Sequence, residues 1–179
     1  MNPEVEIKIF EIDKDTLVSK LEDLWAEKVL DADMKMRYYA IDKKTRKFLR
    51  VRKEWEKTML TYKERLFADG MQSNQEIEFE IEDAEKMVQL LWKIWLELYD
   101  EMRQKHRTSY TLPWVRFDFD KYPTIPRFME IESTNKNTVN ERIEKLWLEN
   151  HPKSWLGYDD FIHNYKEFIK NISSKGSIL

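Results

Sequence analysis

Charged side chains recur two positions apart along this chain, and their types suit chemistry on a phosphate chain. Glu4 and Glu6 precede Lys8 at this spacing, and Arg50 and Arg52 repeat it. Carboxylates bind hard divalent cations, whereas ammonium and guanidinium groups bind phosphate oxygens. The same spacing relates most members of a larger charged set: Glu4, Glu6, Lys8, Arg50, Arg52, Lys63, Glu78, Glu80, Lys105, Arg107, Arg116, Asp118, Asp120, Glu130 and Glu132.

Extended strands would place these charges on one face and apolar residues on the other, because side chains alternate along a strand. Like charges at this spacing lie roughly 6 to 7 Å apart, and they repel unless counter-charges or ligands lie between them. An open sheet backed by helices would leave the charges in water. A closed barrel would instead turn acidic and basic strands towards each other across a lumen, which an antiparallel barrel of about eight strands can enclose.

The composition excludes several kinds of site. The 179 residues include no cysteine, so disulfides, thiolate metal sites and cysteine nucleophiles are absent. Three glycines are too few for the clustered glycines of phosphate-binding loops, so side chains must bind any phosphate. The net charge of -3 gives no overall field for nucleic acid or an anionic membrane. We expect a cytoplasmic protein with neither membrane nor nucleic-acid partner.

Periodicity predicts an α+β fold in one domain, residues 1–179, with a barrel core over about 2–133 and C-terminal helices over about 137–172. Helical spacing of apolar residues predicts earlier helices over about 15–28 and 83–102, packed outside the strands. A turn or longer polar loop is predicted over 67–75 and a frayed tail over 173–179. Period-two segments predict strands near 4–8, 34–41, 48–52, 59–64, 76–82, 105–110, 115–120 and 128–133.

The order of these motifs resembles the CYTH superfamily, the triphosphate tunnel metalloenzymes. Glu4-Val5-Glu6-Ile7-Lys8 matches the ExExK signature of that family. Arg50-Val51-Arg52, Thr61-Tyr62-Lys63 and Lys105-His106-Arg107 follow in the family's order. The stretch 117–126, followed by Met129-Glu130-Ile131-Glu132, resembles members labelled class IV adenylate cyclase. The resemblance implies a closed or nearly closed eight-stranded antiparallel tunnel, often dimeric, that binds a triphosphate with one or two Mg²⁺ or Mn²⁺ ions.

The resemblance also implies roles for individual residues. Within the strand 76–82 we favour Glu78 and Glu80, and of the two aspartates we prefer Asp120. The implied metal ligands are Glu4, Glu6, Glu78, Glu80, Asp118, Asp120, Glu130 and Glu132. The implied phosphate-binding residues are Lys8, Arg50, Arg52, Lys63, Lys105, Arg107 and Arg116. Candidate catalytic residues are Lys63, Arg52 and Tyr39, with Tyr38 as the alternative to Tyr39.

Two reactions fit such a lumen. A phosphohydrolase would direct water at the terminal phosphorus of inorganic, nucleoside or thiamine triphosphate. A class IV adenylyl cyclase would instead form cyclic AMP and pyrophosphate from ATP, and it would need a base-binding pocket to which Tyr38, Tyr39 or Trp55 could contribute. A non-catalytic polyphosphate- or nucleotide-binding module is a third alternative. We favour hydrolysis because it requires only the charged lumen.

Overall fold

The computed structural model describes residues 4–42, 44, 46–68 and 71–175. The helices are α1 (Lys14–Asp23), α2 (Ala84–Lys93), α3 (Lys136–Lys145) and α4 (Tyr165–Lys175), with 3₁₀ turns at Tyr158–Asp160 and Ile162–Asn164. Among the described helices, none combines the length and apolar character needed to cross a membrane. The strands are β1 (Glu4–Ile9), β2 (Glu27–Asp42), β3 (Lys47–Glu54), β4 (Lys57–Ala68), β5 (Met71–Ile81), β6 (Glu97–Leu112), β7 (Val115–Lys121), β8 (Phe128–Ser133) and β9 (Lys153–Ser154).

Eight antiparallel strands close into a barrel, as predicted. Their order is β5-β4-β3-β2-β6-β7-β8-β1. The barrel closes where β1 pairs with β5, with Glu4 opposite Asn74 and Val5 opposite Ser73. The short strand β9 adds to β1 through Lys8 and Ser154. Closure removes the free edges that an open sheet would expose, and it encloses the inward-facing side chains.

Alternation along β1 shows how the sequence separates the two faces of the barrel. Val5, Ile7 and Ile9 point outward into a buried apolar cluster. Lys8 points inward, yet only 2% of its surface is exposed because the barrel surrounds it. A charged face that sequence pattern alone would leave in water is therefore an interior surface.

The helices cover the apolar outer face in three places. Leu17 and Leu21 of α1 join Val139 and Ile143 of α3 in the cluster that covers β1. The second helix, α2, contributes Leu91 to another cluster. The third cluster joins Phe10 and Phe128 to the C-terminal segment 158–175, and includes Phe161, Ile169 and Ile172. The barrel therefore packs its apolar residues outward, which leaves the lumen polar.

Two helices are shorter than the sequence predicted. The first ends at Asp23 rather than near 28, and the second ends at Lys93 rather than near 102. After both helices, apolar residues continue at helical spacing into the next strand. The spacing of apolar residues therefore did not predict where either helix ends. Leu98, assigned to the apolar stripe of the helix, instead lies in β6 opposite Tyr39.

Of the predicted turn or longer polar loop over 67–75, the longer loop is wrong, because strand pairing continues through most of the segment. Phe67 pairs with Gln72 and Ala68 pairs with Met71 across the β4–β5 hairpin. The polar residues of this segment belong to the paired strands β4 and β5, so their polarity was not a sign of a loop. The Asp69-Gly70 portion lies outside the described residues. So does the 176–179 part of the predicted tail, whereas α4 extends to Lys175.

Candidate active site

The barrel lumen contains a charged cavity of about 290 Å³. Nine basic side chains line it against seven acidic ones, an excess of positive charge inside a chain whose net charge is -3. This excess suits a polyanion. The lining residues are Glu4, Glu6, Lys8, Met34, Tyr38, Phe48, Arg50, Arg52, Lys63, Arg65, Glu76, Glu78, Arg103, Lys105, Arg107, Arg116, Asp118, Tyr122, Glu130, Glu132, Gly157 and Tyr158.

All seven predicted phosphate-binding residues line this cavity, together with six of the eight predicted metal ligands. Two predicted ligands do not. Glu80 lies at the rim with 55% of its side chain exposed, 3.6 Å from Lys57. Asp120 faces inward but lies beneath the lining, held by Lys105 and Arg107 at 2.5 Å each.

Lys63 and Lys8 hold Glu6 between them on one side of the lumen. The Lys63 Nζ lies 2.5 Å from Glu76 and 3.4 Å from Glu6, while the Lys8 Nζ lies 2.8 Å from Glu6. Burial alone would raise the pKa of the Glu6 carboxyl, but the two ammonium groups outweigh it and lower this pKa well below its usual value. Glu6 is therefore ionised, and both lysines carry their charge into the cavity.

A second cluster centres on Arg107, whose guanidinium bridges two strands. It lies 2.5 Å from Asp118, Asp120 and Glu130. Burial favours the neutral form of Asp120, yet Arg107 and Lys105 lower its pKa to about 2. In this structure Asp120 contacts both of these side chains and holds Arg107 and Lys105 in place.

Arginines on β3 and β4 present hydrogen-bond donors to the cavity. Arg50 and Arg52 share Glu78, at 3.3 and 3.1 Å. The buried Nε atoms of Arg50 and Arg65 have no hydrogen-bond partner among the described residues. A buried, charged donor without an acceptor is costly, and phosphate oxygens would satisfy it.

Glu4 and Glu132 form the part of the lining best suited to a cation. Burial and then the neighbouring Glu4 raise the pKa of Glu132 well above its usual value. Burial and then the neighbouring Glu76 raise the pKa of the Glu4 carboxyl. Within the described residues, no three acidic or histidine side chains form a preassembled metal site. A hard divalent cation would relieve the repulsion between these oxygens, so Glu4 and Glu132, with Glu6 beside them, fit such an ion.

The sequence-based prediction did not single out seven side chains that line the cavity: Met34, Phe48, Arg65, Glu76, Arg103, Tyr122 and Tyr158. Arg65 lies two residues after Lys63 on the same strand face, so period-two spacing could have identified it. Glu76 belonged to the acidic strand, but only the pairing of β4 with β5 places it opposite Lys63. Nothing in the sequence indicated that Tyr158 would reach the lumen.

The C-terminal segment covers one part of the cavity. The Tyr158 ring stacks on Tyr122 at 4.1 Å, and the Arg103 guanidinium lies 4.1 Å from the centre of the Tyr158 ring. Arg103 also pairs with Asp159 at 2.5 Å. A Cβ at Gly157 would lie 2.5 Å from the Arg65 guanidinium, so glycine allows the segment to approach that side chain. The 3₁₀ turn beginning at Tyr158 thus belongs to the site.

The structure separates the two candidate tyrosines. Tyr39 lies outside the barrel beneath α2, in a cluster with Val51 and Leu60, whereas Tyr38 lines the cavity. Burial favours the neutral Tyr38 phenol, but the charges of Arg50 and Arg103 lower its pKa. Trp55, the other candidate for stacking a base, lies in the β3–β4 turn, 76% exposed and away from the lining.

We expect Tyr38→Phe to raise the KM for a triphosphate about fivefold, because it removes one hydrogen-bonding group next to Arg50. Tyr39→Phe, the matched control, should leave KM and kcat unchanged because its phenol does not reach the lumen. Steady-state kinetics with Mg²⁺ measures both. A larger effect from Tyr39 than from Tyr38 would contradict this assignment.

Solved structures of other proteins share the fold of this chain. The chain is 25% identical to the PH1012 protein from Pyrococcus horikoshii OT3, with a TM-score of 0.70 over 81% of this chain and 90% of that one. A conserved hypothetical protein from Pyrococcus furiosus is 29% identical, with a TM-score of 0.64 over 80% and 86%. HpAC1 from Hippeastrum shares the fold at 16% identity, with a TM-score of 0.60 over 100% and 98%.

No curated protein matches the chain. The model of the CYTH domain does match, and it covers residues 2–154, which contain the whole barrel. The chain therefore belongs to the CYTH family.

Proposed function

We propose that this protein is a divalent-metal-dependent phosphohydrolase that removes the terminal phosphate of a triphosphate bound in the barrel. The observation that supports this most is the lumen itself, in which basic side chains outnumber acidic ones and buried arginine donors lack partners among the described residues. HpAC1, which shares the fold, is described as having a dominant triphosphatase activity.

In the proposed reaction the oxygen of water bonds to the terminal phosphorus as the bridging P–O bond breaks. Diphosphate leaves with the electron pair of that bond, and a proton of the water passes to solvent. Lys63, Arg50 and Arg52 would stabilise the charge that develops on the phosphate oxygens. A divalent cation held by Glu4, Glu6 and Glu132 would neutralise phosphate charge and acidify a bound water.

A second cavity, of about 270 Å³, supports an organic group on the substrate. It shares Tyr38, Phe48 and Arg65 with the lumen. The rings of Tyr38 and Phe48 lie 5.4 Å apart, and most of the exposed surface is apolar. The phosphates of a nucleoside or thiamine triphosphate would occupy the lumen while the base enters this second cavity. Since such a pocket would also hold the nucleoside for cyclisation, adenylyl cyclase is the second candidate activity.

We expect Phe48→Ala to raise the KM for ATP or thiamine triphosphate about tenfold, because it removes an aromatic surface worth about 1 to 2 kcal/mol of stacking and burial. The KM for inorganic tripolyphosphate should stay within about twofold of the wild-type value. Equal losses for both kinds of substrate would contradict a separate organic site. Parallel assays with the three substrates measure the difference.

One incubation series tests the proposed function. The protein is incubated with tripolyphosphate, ATP and thiamine triphosphate, each with Mg²⁺ or Mn²⁺, and the products are separated as phosphate, pyrophosphate and cyclic nucleotide. Phosphate with a diphosphate is the expected result. Cyclic AMP with pyrophosphate would establish the cyclase instead. Binding without turnover of any substrate would identify a non-catalytic module.

A further inference from the structure

Five tryptophans occupy backbone positions where glycine is the favoured residue. Seven non-glycine residues among those described have positive φ, and five of these are tryptophans. Positive φ brings Cβ against the backbone, so a bulky residue there is a conformational outlier. The five are Trp25, Trp55, Trp95, Trp114 and Trp147, with φ of 63°, 51°, 64°, 67° and 62°.

Three of them end helices in the same way. Trp25 donates its backbone N–H to Glu22 while Ala26 donates to Leu21, which is the paired hydrogen bonding of a Schellman motif. Trp95 and Leu96 repeat this after α2, and Trp147 and Leu148 repeat it after α3. The residue between the helix and the returning chain adopts the left-handed conformation in this motif, and it is usually glycine.

The other two lie in two-residue hairpin turns. Glu54 pairs with Lys57, so Trp55 is the first of the two central residues of this turn. Its φ is positive, as in a type II′ turn, where glycine occupies the first central position. Leu112 pairs with Val115 around Pro113-Trp114. A proline followed by a residue with positive φ is typical of a type II turn. Trp114 is the third residue of this turn, a position that glycine or asparagine usually occupies.

Burial does not compensate for this strain. The exposed fractions are 92% for Trp25, 76% for Trp55, 93% for Trp95, 85% for Trp114 and 74% for Trp147. Lys20 does lie 4.2 Å above the Trp147 ring, a contact of modest value at an exposed site.

A shared docking surface does not account for the five indoles either. Trp25 precedes Glu27 at one end of the β2–β6 pair, whereas Trp95 precedes Glu97 at the other end. Residues at opposite ends of one strand pair do not form one patch.

We infer that these five positions are glycine in the protein that its own cell makes, because that cell reads as glycine a codon translated as tryptophan in this sequence. One change of decoding accounts for the positive φ, the turn types and the exposure at all five sites. The codon expected is UGA, which ends translation in the standard code and specifies tryptophan or glycine in others. The inference is independent of the proposed phosphohydrolase activity.

Sequencing by mass spectrometry of peptides from the protein isolated from its source cell tests the decoding directly. Glycine at positions 25, 55, 95, 114 and 147, with UGA at the matching codons, is the expected result. Tryptophan in these peptides, or UGG in the gene, would overturn the inference.

Variants of the recombinant 179-residue chain test the backbone argument. Trp25→Gly should raise the ratio of folded to unfolded protein about fivefold, because glycine adopts positive φ without a clash of Cβ with the backbone. The expected gain is at the low end of the left-handed penalty because glycine also loses more chain entropy on folding, which offsets part of it. Trp25→Ala removes the same indole but keeps a Cβ, so it should give no comparable gain. Trp155→Gly, at a buried position, should instead destabilise the fold. Urea unfolding that shows alanine equal to glycine at position 25 would overturn the backbone argument.

Discussion

Replacement of Lys63 by methionine is expected to lower kcat/KM for a triphosphate by about 100- to 1,000-fold, the loss typical of one preorganised charge-stabilising donor. Lys63 is buried, and its ammonium group lies in the lumen between Glu6 and Glu76. Methionine has a similar length and no charge. The variant therefore removes the cation while it largely preserves packing.

Lys57→Met is the matched control for this variant. Lys57 lies on the same strand and the same face, but its side chain is 66% exposed at the rim beside Glu80. It should keep wild-type kinetics. Because Lys63→Met leaves Glu6 and Glu76 with one partner fewer, its activity is compared at a temperature where circular dichroism shows both proteins folded. Equal activity of the Lys63 variant and the wild type would contradict phosphate binding by Lys63.

Glu132→Gln is expected to reduce metal-dependent activity by at least about 100-fold. Loss of a residue that only supports a metal ligand already costs up to about 100-fold, and Glu132 is proposed to bind the ion directly. The same change should stabilise the metal-free protein slightly, because it removes repulsion between buried Glu132 and Glu4. Thermal unfolding with and without Mg²⁺ separates the two effects. Mg²⁺ should raise the melting temperature of the wild type and leave that of Glu132→Gln unchanged.

Glu80→Gln provides the control for the metal site. Its carboxylate is exposed at the rim, so neither activity nor the Mg²⁺-dependent rise in melting temperature should change. A Glu132 variant that retains both properties would exclude Glu132 as a ligand. A Glu80 variant that loses them would restore the metal-ligand role predicted from sequence.

Period-two charge patterns predicted much of the barrel, because the inward or outward direction of a side chain depends on its position along its own strand. The pattern Glu4, Glu6, Lys8 needed no information from elsewhere in the chain. The ends of helices were not predictable in this way. The apolar spacing of α2 continues to Leu98, while the reversal at Trp95 depends on a left-handed backbone that tryptophan does not signal.

The sequence by itself determined that charged residues share one face of each strand, and their order indicated the CYTH family. Only the tertiary structure decided which of them meet. Registers between β4 and β5 place Glu76 against Lys63 and leave Glu80 at the rim, although both carboxylates share one strand face. Tyr158 enters the lumen from a segment beyond the barrel. The alternation of residues along a strand determines whether a side chain points into or out of the barrel. Strand register and the packing of distant segments determine which side chains lie close together, and the chemistry of the site depends on those contacts.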